Sequence, residues 1–157
     1  MQAPIEKFWM IPNLLDDLTD ISRLVFDWLD HCDLSSRAKY AGRLAIEELV
    51  SNTIKYGYDD DEEHVITLHI VIDSEYLRMD FADDGHEFDP TAQKHIEVED
   101  IIETVAVGGL GIELLQRICA KMEYRRDREK NVNYLSLLIR KREPDDTQNL
   151  VLDVPIP

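Results

Sequence analysis

The sequence predicts an α+β fold, a two-layer α/β sandwich with a mixed, mostly antiparallel sheet and helices on one face. Three observations point there. Strand-like stretches come in adjacent pairs, Ile66–Ile72 with Leu77–Phe81 in period-two apolar alternation and Glu123–Arg128 with Val132–Lys141 as a basic hairpin. Helical periodicities precede each pair and do not alternate strictly with strands, as parallel βαβ units would require. The 157 residues, 44% of them hydrophobic, supply one packed core and are few for two.

Taken in order, Ile5 to Ile11 reads as an edge strand ending at Pro12-Asn13. Asn13 is expected to cap a helix whose first turn holds Asp16 and Asp17, where the helix dipole favours acids. Leu14, Leu15, Leu18, Ile21, Leu24, Val25, Trp28 and Leu29 then recur at helical spacing. Ser35 or Ser36 opens a second helix that runs to about Tyr56 and stops at Gly57. The acid run Asp59 to Glu63 reads as a solvated turn, and Asp73-Ser74 joins the first strand pair as a hairpin that ends at Asp84-Gly85. Residues Asp89 to Val107 read as a polar loop with some helix, and Gly108 to Gly111 open a third helix with Ile112, Leu115, Ile118 and Cys119 on its apolar side. The last hairpin turns at Glu129 to Asn131. The domain is expected to span residues 1–142, with a polar tail over 143–157.

Charge narrows the function. Asp and Glu number 33 against 17 Lys and Arg, a net charge of −16. Phosphate neutralisation needs surplus Lys and Arg, so nucleic acid and anionic lipid are excluded as partners. Such a surface favours a basic or partly basic protein partner. The cations concentrate near the end: Lys121, Arg125, Arg126, Arg128, Lys130, Arg140, Lys141 and Arg142 all lie in the last hairpin region. Cys32 and Cys119 form no disulfide or zinc pattern, and no signal peptide or bilayer-length apolar run is visible, so the expected compartment is the cytoplasm.

Three positions break the local pattern. In the second helix, stepping about 100° per residue puts Glu47 toward water and Glu48 at the apolar edge, with Asn52 one turn on between the angles of Ala41 and Ala45. A carboxylate and an amide at that spacing form either a polar seam against a loop or a site for a hard cation such as Mg²⁺. Asp83 continues the apolar face of Leu77, Met79 and Phe81, whereas Asp84 points the other way. It is either a turn-capping residue before Gly85 or a buried acceptor for a donor such as the exocyclic amino group of a base. Gly108-Gly109-Leu110-Gly111 at a helix start is either an ordinary tight turn or an anion cradle. It is neither a P-loop nor a dinucleotide fingerprint.

Together, in this order and spacing, the three features resemble the GHKL (Bergerat-fold) ATP-binding superfamily, and within it the anti-sigma-factor serine/threonine kinases of bacterial partner-switching systems. Glu48-Leu-Val-Ser-Asn52-Thr-Ile-Lys55-Tyr56 is similar to the N-box. Phe81-Ala-Asp83-Asp-Gly85-His-Glu-Phe88-Asp89-Pro90 resembles the first glycine box, with Glu87 where the wider superfamily has a second glycine, and Gly108-Gly-Leu-Gly111 resembles the next. Tyr124-Arg-Arg with Asn131-Val-Asn133-Tyr-Leu is similar to the closing hairpin, so the likeness covers about residues 5 to 142.

The resemblance implies ATP and Mg²⁺ as cofactors. It gives Asn52 the metal, Asp83 the adenine amino group and Gly85 the close approach of the base. Gly108, Gly109, Leu110 and Gly111 would frame the phosphates, with Lys55 assisting. Glu48 would be the general base toward a serine or threonine hydroxyl. Implied partners are a STAS-domain anti-anti-sigma protein and a sigma factor or other regulator, with a homodimer common in such proteins. Between the boxes, residues 91–107 hold Lys94 as their one lysine and no arginine. The competing reading is a non-catalytic module that binds ATP or ADP and sequesters a sigma factor or other regulator.

Overall fold

The computed structural model describes residues 2–92 and 110–144. The loop from residue 93 to Val107 with Lys94, the glycines Gly108 and Gly109, and the tail beyond Pro144 lie outside the described residues. Five strands, β1 (Ile5–Pro12), β2 (Val65–Ile72), β3 (Tyr76–Asp83), β4 (Lys121–Asp127) and β5 (Val132–Arg140), form one sheet in the order β1-β2-β3-β5-β4. All four pairings are antiparallel, the limiting case of the mostly antiparallel sheet expected. Helices α1 (Leu15–His31), α2 (Ser36–Ala45), α3 (Ser51–Tyr56) and α4 (Leu110–Ile118) cover one face.

Strand parity sets the core. Ile66, Leu68, Ile70 and Ile72 of β2, Leu77, Met79 and Phe81 of β3, and Leu135, Leu137 and Ile139 of β5 are all buried beneath the helices. Gly42 lets α2 settle onto this face, because a Cβ there would stand 3.1 Å from Leu29 Cδ1 and 3.5 Å from Leu77 Cδ2. Trp9 of β1 meets Trp28 of α1 edge-on at 5.4 Å. The β4–β5 hairpin turns through Asn131 at φ 53°, a left-handed position that Asn tolerates.

Two local expectations change. Asn13 does not cap α1. The N-cap is Leu14, which makes no side-chain capping bond. Asn13 instead accepts the His64 amide on Oδ1 at 3.0 Å and donates its own backbone N–H to the His64 carbonyl at 3.0 Å, because β1 and β2 are neighbours. At the second helix Ser35 is the cap, its hydroxyl accepting from the Ala38 amide at 3.1 Å.

The second helix is also not uniform. Between α2 and α3, Ile46–Val50 form a π-helical turn, which holds an extra residue and occurs often at functional sites. Nearby carbonyls are met by side chains: Ser51 Oγ donates to the Glu47 and Glu48 carbonyls, and Thr53 Oγ1 to that of Leu49 at 2.9 Å.

Asn13→Ala should lower stability in urea unfolding by about 1 kcal/mol, the net worth of a hydrogen bond. Far-UV helicity should stay unchanged, since the side chain clasps the start of β2 and does not cap α1.

Candidate functional site

Where α3 ends beside the last residues of β3 there is a cleft of about 360 Å³. Ile66, Phe81, Leu135 and Ile112 give it an apolar floor, while Asn52, Asp83 and Asn133 put polar groups on its wall. A largely apolar cavity of this size with a few converging polar groups suits a small organic ligand.

Asp83 and Asn133 face each other in the β3–β5 register, each one step beyond the apolar run of its own strand. Asp83 Oδ1 accepts from Asn133 Nδ2 at 3.0 Å and from the Gly85 amide at 2.9 Å, and no described hydrogen bond uses Oδ2. Burial raises the Asp83 pKa against the two donors and Arg126, which lower it. Asn133, only 6% exposed, also donates to the carbonyls of His86 at 2.7 Å and Gly85 at 3.3 Å. Its own oxygen accepts from Tyr124 Oη at 2.6 Å and Arg126 Nη1 at 2.9 Å. Asn133 was not among the residues expected at the site. Its signal was present in the parity of Leu135, Leu137 and Ile139, which it breaks just as Asp83 breaks that of β3.

The turn after Asp83 is held against the end of α3. Gly85 lies so close to Gly57 that a Cβ would come within 2.7 Å of the Gly57 carbonyl oxygen. The His86 amide donates to that same oxygen at 2.8 Å, and the His86 ring meets Asp59 at 3.0 Å. His64 adds a second tie, with Nε2 2.7 Å from Asp60 Oδ1, Nδ1 3.0 Å from Asp84 Oδ1, and its ring stacked on Tyr58 at 4.1 Å. The acid turn is exposed, as expected, and Asp59 and Asp60 also brace the neighbouring turn. Asp60, Glu62 and His64 bring one ligand atom each within 4.8 Å of one another; Asp60 is there as the partner of both the His64 ring and the Glu62 amide.

Glu48 occupies the π-helical turn. Its side chain lies directly over Gly111 at the start of α4, where a Cβ would fall 2.1 Å from the carboxyl carbon. The carboxylate has no hydrogen bond among the described residues, and desolvation raises its pKa, helped by Glu47 and opposed by Lys55. Asn52 lines the cleft, and its side chain makes no hydrogen bond among the described residues. Glu48 and Asn52, expected to stack one turn apart, thus face different surroundings, because the π-helical turn changes the phase between them. Lys55 is exposed and, like Leu110, stands outside the cleft wall.

A sheet backed by helices on one face carries a cleft between the end of α3 and a glycine-containing turn, and the class of this domain is that of an ATPase. The chain belongs to the histidine kinase-like ATPase domain family, whose match covers residues 11–137. Over 80 residues it is 26% identical to the serine-protein kinase RsbW of Listeria monocytogenes and 28% identical to that of Listeria innocua. These alignments take in 48% of this chain, and the chain spans about half the length (51%) of the curated relatives it matches. Among the described residues no helix is long and apolar enough to cross a membrane.

Gly111→Ala should turn the flexible Glu48 side chain aside and lower stability by less than about 1 kcal/mol, since no backbone has to move. Thermal unfolding, with the Glu48→Ala background relieving the loss, checks this. The two carboxylates hold the His64 pKa above its ordinary 6.5. That contribution is complete below 6.5 and is lost as pH rises through the higher folded value. Wild-type urea midpoints should therefore decline as pH rises above 6.5, and His64→Gln should flatten that decline.

Proposed function

We propose that this chain is an ATP-dependent serine/threonine protein kinase and anti-sigma regulatory factor that phosphorylates a STAS-domain anti-anti-sigma protein in a partner-switching system. A sigma factor or other regulator would be its second partner. The observation that carries the reading is the Glu48 carboxylate: desolvated, raised in pKa and without a hydrogen-bond partner among the described residues, beside the start of α4. A binder of nucleotide alone has no use for such a group. The RsbW names and the ATPase family support the class of chemistry.

The residues present fit an adenine nucleotide. Asp83 keeps Oδ2 for an amino donor above an apolar floor, and the cleft has room for a purine. The start of α4 at Leu110 and Gly111, which Gly108 and Gly109 precede in sequence, would receive the phosphates, a helix start being favourable to anions in an acidic protein. The Asn52 amide oxygen would hold Mg²⁺, which when bound offsets phosphate charge. Glu48 takes the proton of the partner's hydroxyl as its oxygen bonds to the γ-phosphorus. The bond from that phosphorus to the β–γ bridging oxygen breaks, and ADP leaves. Because the Glu48 pKa is raised, the base is lost at a higher pH than for an ordinary carboxylate, and transfer should fall as pH drops through that value.

Incubation with Mg-ATP and a STAS-domain partner, followed by phosphoserine and phosphothreonine detection, tests the reading. Glu48→Gln should cut transfer by about 10²–10⁴ while leaving nucleotide affinity intact. Asn52→Ala should weaken Mg-dependent binding. Normal transfer by Glu48→Gln would remove the assigned base. Nucleotide binding with no transfer to any STAS partner would favour the sequestering module.

A further inference from the structure

We infer that Asn133 is a positioning residue for base recognition, locking the Asp83 carboxylate so that one oxygen alone is offered to a 6-amino purine. This rests on the ATP reading and adds to it a determinant of which base is accepted.

The orientation of the Asn133 amide is dictated by its surroundings. Arg126 can only donate, and its Nη1 lies 2.9 Å from Asn133 Oδ1. With the Tyr124 hydroxyl at 2.6 Å it occupies that oxygen and excludes the flipped amide. Nδ2 must then face Asp83 Oδ1 and the His86 carbonyl, at 3.0 and 2.7 Å. Rotating the Asp83 carboxylate would break both bonds on Oδ1, so Oδ2 stays a pure acceptor, without a hydrogen bond among the described residues, on a side chain that lines the cleft. Arg126 closes the arrangement by donating to the Gly85 carbonyl at 2.7 Å, which ties β4 to the turn beneath the base.

A fixed acceptor favours a base with an amino group at that position and repels one with a keto oxygen there. Without the Asn133 donor the carboxylate is held by the Gly85 amide alone and is more readily protonated. The charged groups facing it are then Asp84, which also favours protonation, and Arg126, which opposes it. A protonated Asp83 can donate to a keto oxygen, and a less firmly held carboxylate no longer sets a fixed acceptor against one, so discrimination should be lost.

The test is calorimetric binding of Mg-ATP and Mg-ITP, which differ at that one substituent. The wild type should prefer ATP by at least about tenfold, since the wrong base leaves a buried acceptor unpaired. Asn133→Ala should bring the ratio to within about twofold of unity. Asn133→Asp keeps acceptors for Tyr124 and Arg126, and with them the hairpin, but removes the amide donors. It should lose the preference in the same way, and it serves if the alanine variant does not fold. If both affinities fall by equal factors and the ratio survives in either folded variant, Asn133 is only a structural residue and this inference is overturned. If the wild type binds both nucleotides alike, this inference is overturned while the ATP reading stands; if it binds neither, the ATP reading fails and this inference with it.

Discussion

One amide–carboxylate pair on the β3–β5 ladder sets the geometry around it. Burying a carboxylate is costly unless donors meet it, and here Asn133 and the Gly85 amide do so on a single oxygen. Asn133 in turn receives Tyr124 and Arg126 from β4 and holds the carbonyls of Gly85 and His86. Two strands, a turn and a neighbouring strand thus converge on one side chain. The cleft inherits its shape from sheet register, which is fixed by the buried faces of β2, β3 and β5.

Two close approaches beside the cleft involve glycine. At Gly85 any Cβ would collide with the Gly57 carbonyl, and at Gly111 a Cβ would displace the Glu48 side chain. The helix carrying Glu48 and Asn52 serves two surfaces in succession. Before the π-helical turn, Ala38, Ala41, Gly42 and Ala45 press onto the core, and beyond it Asn52, Thr53 and Tyr56 line the cleft.

The two-layer fold, the pairing of strands and the exceptional parity of Asp83 were all legible, because each rests on a repeating pattern of two or 3.6 residues. What escaped depends on partners distant in sequence. Asn13 looked like a cap because its type and place suit one, yet β2 lies beside it and offers the His64 amide. Nothing in the sequence spacing of His64 reveals that Asp60 and Asp84 flank its ring. The seat of Glu48 on Gly111 joins residues more than sixty positions apart, beyond the reach of periodicity. Asn133 is the instructive case, since the parity rule that singled out Asp83 applies to it unchanged.

The π-helical turn bears on how such chains are compared with one another. It lodges an added residue inside a helix, so it shifts sequence numbering by one without lengthening any loop. A relative lacking it would share the Ser35 start and the Gly57 stop and still be one residue shorter between them. An alignment that pushes the gap into a loop would match Glu48 to a side chain facing another direction. The equivalent carboxylate in such a relative is identified by its seat on the first turn of α4, whatever its spacing from Asn52.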